Sequence, residues 1–133
     1  MRKAAKIQDL LGETIRFIHK DVDNGSDKLI FFTDSAKIYK MHHMQDCSED
    51  VGIDDICGDL KDLLNSPVLL ADASSNNNYD DKDLAPSSKH PYIDDSFTWT
   101  FYKLATVNGY VDIKWFGTSN GYYSEKVDFT QIE

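Results

Sequence analysis

Arginine and cysteine are both scarce in this 133-residue sequence. Arg2 and Arg16 are the only arginines, which poorly supplies a bidentate clamp on phosphate or carboxylate. Cys47 and Cys57 are too few for a disulfide framework and form no Cys-x-x-Cys, so ordinary thiols in a reducing cytosol are expected. No apolar run approaches about 18 residues, which excludes a membrane-spanning helix. The basic opening Met1-Arg2-Lys3 has no apolar run behind it, which argues against a secretory signal. Gly-x-Ser-x-Gly, Gly-x-Gly-x-x-Gly and a phosphate-cradling glycine loop are all missing, so no cofactor and no catalytic residue is assigned. There is no internal repeat and no linker, and the length suits one domain over 1–133.

What is present is ordinary in bulk and uneven in charge. Hydrophobic residues make up 41% and charged residues 28%, as in a soluble globular domain. Acids number 23 against 14 bases, for a net charge of −9. Residues 44–96 hold thirteen of those acids and three bases, Lys61, Lys82 and Lys89, so this stretch carries −10 and the rest +1. Phosphate backbones need neutralising by Lys and Arg, so direct nucleic-acid binding is disfavoured. A basic partner is the natural complement, and a merely solvated acidic loop is the plain alternative.

The patterning suggests an α+β domain. Ala4, Ala5, Ile7, Leu10 and Leu11 outline a short N-terminal helix that Gly12 ends. Thr14 to Lys20, Leu29 to Thr33 and Ala36 to His42 read as strands, although Ile15, Phe17 and Ile18 spoil a clean period of two. Ile56, Leu60, Leu63 and Leu64 stand at i, i+4, i+7 and i+8, one apolar helical stripe with Asp54 and Asp55 at its start. Val68 to Ala71 reads as a buried strand, and 72–96 as a long acidic loop. In the last third, Phe97, Trp99 and Phe101 alternate, Asn108-Gly109 signals a hairpin, and Val111, Ile113 and Trp115 share a face. Tyr123, Glu125, Val127 and Phe129 then complete a three-stranded antiparallel meander, with Tyr102, Tyr110, Phe116 and Tyr122 on the opposite face. The expected architecture is a mainly antiparallel sheet with one covering helix.

Few constellations suggest chemistry. His42, His43, Asp46, Cys47 and Glu49 cluster within eight residues, and Cys57 could complete a zinc site with His42, His43 and Cys47. A strand end followed by a polar turn explains the cluster better, so these four are weak metal candidates. Asp21-Val22-Asp23-Asn24-Gly25 resembles a calcium loop but fails the pattern, with Gly25 at position five and Phe32 at position twelve.

The segments Trp99-Thr100-Phe101-Tyr102-Lys103-Leu104-Ala105-Thr106 and Ser119-Asn120-Gly121-Tyr122-Tyr123-Ser124, and the Asp-rich stretch from Cys47 to Asp59, carry a resemblance. They resemble a small domain family of unknown function associated with bacteriophage genomes, over most of residues 10–130. The resemblance supplies no catalytic residues. It implies a small phage product in the bacterial cytoplasm, an accessory factor that binds a host protein.

The expected function is therefore non-enzymatic. An acidic surface would bind a basic face of a host protein and inhibit or modulate it, with nucleic-acid mimicry or an anti-defence role as forms this would take. The expected contact residues are Asp54, Asp55, Asp59, Asp62, Tyr79, Asp80, Asp81, Asp83, Tyr92, Ile93, Asp94 and Asp95, with Tyr79, Tyr92 and Ile93 as buried anchors. A homo-oligomer is left open. The alternatives are a small-molecule, nucleotide-like binder or sponge with the long loop as a lid, and a metal-dependent enzyme around His42, His43 and Cys47.

Overall fold

The computed structural model describes residues 2–22, 26–90 and 95–133. Its strands are β1 Lys3–Ala4, β2 Ile15–Asp21, β3 Lys28–Thr33, β4 Ile38–His42, β5 Asp50–Cys57, β6 Leu70–Asn77, β7 Ser96–Thr106, β8 Gly109–Ser119 and β9 Asp128–Gln131. They form two antiparallel sheets, one ordered β1-β9-β4-β3-β2 and the other β5-β8-β7-β6. Among the described residues there is no α-helix, only two single 3-10 turns at Ile7–Leu10 and Leu60–Leu63. The fold is thus two-layered and nearly all β, and the expected α+β architecture with a covering helix is overturned.

The sheets pack face to face. Leu29, Phe31, Tyr39, Met41 and Phe129 from the five-stranded sheet meet Tyr102, Leu104, Val111, Ile113 and Trp115 from the four-stranded one. Trp115 Nε1 donates to Met41 Sδ at 3.3 Å across the interface. Burying such a set of large side chains supplies the main driving force for the fold.

Both expected helices fail for local reasons. On β5, the inward residues are Val51, Ile53 and Ile56, paired to Gly117, Trp115 and Ile113. A bulge between Ile53 and Asp55 inserts one residue, so the inward spacing becomes three and imitates a helix. Gly58, at φ +105°, then breaks the chain, and Leu60 to Leu63 form one 3-10 turn capped by Asp59, which accepts the Lys61 N–H at 2.9 Å. Near the N-terminus, Ile7 and Leu10 eclipse on one face of a 3-10 turn and are both buried, which spends the apolar pattern in four residues. A bulge between Ile15 and Phe17 in β2 likewise explains the broken alternation there.

Two other expectations change. The expected 72–96 loop begins as strand, because β6 runs to Asn77 along β7. The meander's third strand does not form beside β8. Residues 120–127 leave the four-stranded sheet instead, and β9 inserts between β1 and β4 of the other.

Candidate functional site

The outer face of the four-stranded sheet is built from alternate residues of β7 and β8. Trp99 is paired across to Phe116, which places both on the side opposite Trp115 and Tyr102. Phe116 lies 4.9 Å from Trp99, 5.6 Å from Phe97 and 4.9 Å from His90 between ring centroids, and Trp99 stacks on Phe101 at 6.0 Å. These rings are covered by residues 78–90, which cross from β6 to β5 as a strap. Trp99 Nε1 donates to Ala85 O at 2.9 Å. The buried Ser87 hydroxyl bonds the Asp54 carboxylate, and Lys89 Nζ bonds Asp54 O. His90 Nδ1 lies 3.7 Å from Asp50 Oδ2.

The expected contact acids that the structure describes fall in four places. Asp54 and Asp55 are on β5, where Asp54 anchors the strap and Asp55 accepts the Cys57 Sγ–H at 3.1 Å. That thiol bond, ahead of the opposing burial and the Lys89 charge, holds the Asp55 carboxyl below its ordinary range and pushes the Cys57 thiol up. Asp59 and Asp62 lie at the hairpin end of the sheet, where Asp62 O receives the Thr106 hydroxyl. Asp80, Asp81 and Asp83 start the strap. Asn77 Nδ2 donates to Asp80 at 3.1 Å, and the Asp83 N–H donates to Asp81 at 3.1 Å, so their backbone is locked while Asp80 and Asp83 stay exposed. Tyr79 is 64% exposed, a protruding ring rather than a packed one. Asp95 is exposed beside β7. Tyr92, Ile93 and Asp94 lie outside the described residues.

The aromatics expected on the outward face are divided. Tyr102 is buried in the core, where burial and the Asp128 charge push its phenol up. Phe116 faces outward but lies under the strap, while Tyr110 and Tyr122 are exposed.

The histidine–cysteine cluster does not converge. His42 ends β4 and His43 follows it outside the strand, and the two rings take different partners. His42 Nε2 lies 3.3 Å from Thr130 Oγ1, and burial, with Lys40 and Arg2 nearby, lowers it to about 4. His43 Nδ1 meets Lys126 O at 2.6 Å and Nε2 meets Glu49 Oε2 at 2.9 Å. Glu49 also accepts the Asp46 and Cys47 N–H groups at 2.7 and 2.8 Å. Burial pushes the Glu49 carboxyl up, but these bonds prevail and bring it to about 2. Hydroxyls of Ser48 and Tyr123 lower the exposed Cys47 thiol. Cys47 precedes β5 and Cys57 ends it, so the two thiols sit at opposite ends of that strand. Among the described residues, no three His, Cys, Asp or Glu side chains are arranged to hold a metal ion.

Sequence reading missed a groove beside β6. One cavity of about 290 Å³ is lined by Ala73, Tyr102 and the 126–130 segment, and another of about 350 Å³ by Ser75, Thr98, Thr100 and 124–127. They share Lys126 and Val127 and so adjoin. Glu125 is buried beneath, where Thr98 Oγ1 donates to its carboxylate at 2.7 Å. The polar run Ser74-Ser75-Asn76-Asn77 gave no apolar signal for this strand.

The fold and its surface define a two-sheet antiparallel β protein with an aromatic outer face strapped under an acidic connection. Residues 8–129 match the family described as a domain of unknown function (DUF7448), and the chain belongs to that family. No curated protein and no solved structure matches it.

Proposed function

We propose that this chain is a non-enzymatic binding protein that engages a basic surface of a partner protein through its four-stranded layer. In this reading it is an accessory protein of phage origin, working in a bacterial cytoplasm, which inhibits or modulates a host protein. The observation that carries the reading is the separation of charge between layers. Residues 1–43, which supply four of the five strands of one sheet, hold eight bases and six acids. Residues 44–96, which supply β5, β6 and the strap, carry −10. The acids of the strap stand on a backbone fixed by Asn77, Asp81 and the Trp99–Ala85 bond, so they meet a partner with little ordering left to lose. Such a charge field speeds encounter with a cationic surface and rejects anionic ones.

The test compares the wild-type chain with an Asp80→Lys/Asp81→Lys/Asp83→Lys variant as baits in bacterial lysate. The reading requires one protein retained by the wild type, released by salt, and lost with the variant. Equal retention by both baits, insensitive to salt, would sink it.

A further inference from the structure

Among the described residues, β6 ends the four-stranded sheet and pairs on one side only, with β7. Its alternation is fixed at the far end. Asn78 N–H donates to Phe97 O, toward β7, while Asn77 O, facing the other way, accepts the Asp81 N–H at 3.0 Å. In an antiparallel ladder this turns the N–H and C=O of Ala73 and Ser75 to the open side. Both residues are exposed, and among the described residues no backbone group bonds them. Protected edges carry lysine, proline, a bulge or a covering element. Leu70–Asn77 contains no lysine and no proline, and its register with β7 runs without a shift; the Ile7–Leu10 turn packs beside the strand but leaves Ala73 and Ser75 exposed.

The two sides of this edge differ. On the inner side, the side chains of Ala73 and Ser75 line the two adjoining cavities, whose floor is Tyr102, Thr100 and Thr98 of β7 and whose far walls are residues 4–8 and 124–130; Lys6 and Lys126 in those walls suit apolar rather than basic side chains there. On the outer side, Asp72 is exposed at the edge, and its cross-strand neighbour Lys103 is shared with Asp112. Asp80 and Asp83 stand exposed just beyond the strand's end.

We infer that β6 accepts an extended basic segment of the partner as an added antiparallel strand, with small apolar side chains entering the groove and lysine or arginine facing Asp72. This rests on the proposed acidic-surface reading and names how that surface is occupied. Strand addition takes affinity from main-chain bonds and specificity from alternate side chains. Ala73 and Ser75 offer two donors and two acceptors along a stretch of about 7 Å. A second copy of the chain is the poorer occupant, since each carries −9. Residues directly opposite one another in an antiparallel pair share a face, and where their backbone groups point toward each other they exchange both bonds. The partner residues opposite Ala73 and Ser75 are therefore those entering the groove, and their amides make the contacts.

That phase relation is the test. Fluorescein-labelled octapeptides alternating valine and lysine are titrated with the full chain by anisotropy, unmodified, N-methylated at the valines, or N-methylated at the lysines. A valine–threonine octapeptide is the uncharged control, and Ser75→Pro is the protein variant, its folding checked by thermal melting. N-methylation at valine, and Ser75→Pro, are expected to weaken binding about tenfold or more, and N-methylation at lysine less than about threefold. Equal, salt-sensitive binding of all three lysine peptides overturns strand addition and leaves the acidic-surface reading standing. Phase-dependent binding of the valine–threonine peptide as tight as the lysine peptide keeps the open edge but overturns the basic partner, and with it that reading. Binding of none overturns the inference.

Discussion

Lowering the pH through the acid range removes a defined part of this protein's stability, and Glu49 carries it. Its side chain is fully buried and takes N–H bonds from Asp46 and Cys47 and a contact from His43. Depression from the ordinary 4.5 to about 2 converts to roughly 3 kcal/mol at about 1.36 kcal/mol per pH unit. The carboxylate is covered only by the exposed turn 44–48, so nearby solvent screens it and leaves about 1–2 kcal/mol. A carboxyl depressed by folding stabilises fully above its unfolded value and loses that contribution as pH falls through the folded one. The window is therefore from 4.5 down to about 2. Glu49→Gln keeps the volume and removes the charge. Urea unfolding of both proteins across a pH series should show the variant less stable near neutrality by about 1–2 kcal/mol, with the gap narrowing through that window. A gap that stays constant down to about pH 2 would refute the assignment of this acid sensitivity to Glu49.

Three further outcomes follow from the packing. Phe116→Ala opens a cavity under the strap at a fully buried ring and should cost about 3–5 kcal/mol in denaturant unfolding, with an effect under about 1 kcal/mol counting against a packed outer face. Trp99→Phe removes the Nε1–H bond to Ala85 O; hydrogen exchange within 84–90 should speed up, at a stability cost of about 1 kcal/mol. Gly58→Ala places a Cβ 2.6 Å from Tyr110 O at φ +105° and should lower the melting temperature, at a cost of about 1–3 kcal/mol; an unchanged melt would refute the close approach of Gly58 to Tyr110.

How much of this was legible depends on where the chain is regular. The strands β2, β3 and β4 and the Asn108-Gly109 hairpin were readable, since turn chemistry and alternation agree there. The central apolar set of β8, Val111, Ile113 and Trp115, was also visible as one face. Elsewhere the sheet's own irregularities misled. The bulge at Ile53–Asp55 gives a strand the spacing of a helix, and the eclipsed Ile7 and Leu10 do the same in one turn. Trp99 and Phe116 pack outward, which no periodicity distinguishes from inward packing until the strap that covers them is known. β6 was illegible beyond Ala71 because an edge strand exposed on both faces has no reason to alternate. At the candidate site, the concentration of acid was plain from composition, but its division among β5, the hairpin end and the strap depends on long-range pairing.

The place of β9 has a consequence for how the molecule is made. It is the last strand in chain order, yet it sits between β1 and β4, pairing Phe129 with Met41 and Thr130 with Ala4. A ribosome that has released only β1 to β8 has delivered β4 with one edge bare and β1 with no strand to pair with. Those contacts span nearly the whole sequence, so closing them carries a heavy loop entropy and should be slow. Until then the nascent chain leaves the edge of β4 bare, and that interval is when aggregation threatens it most.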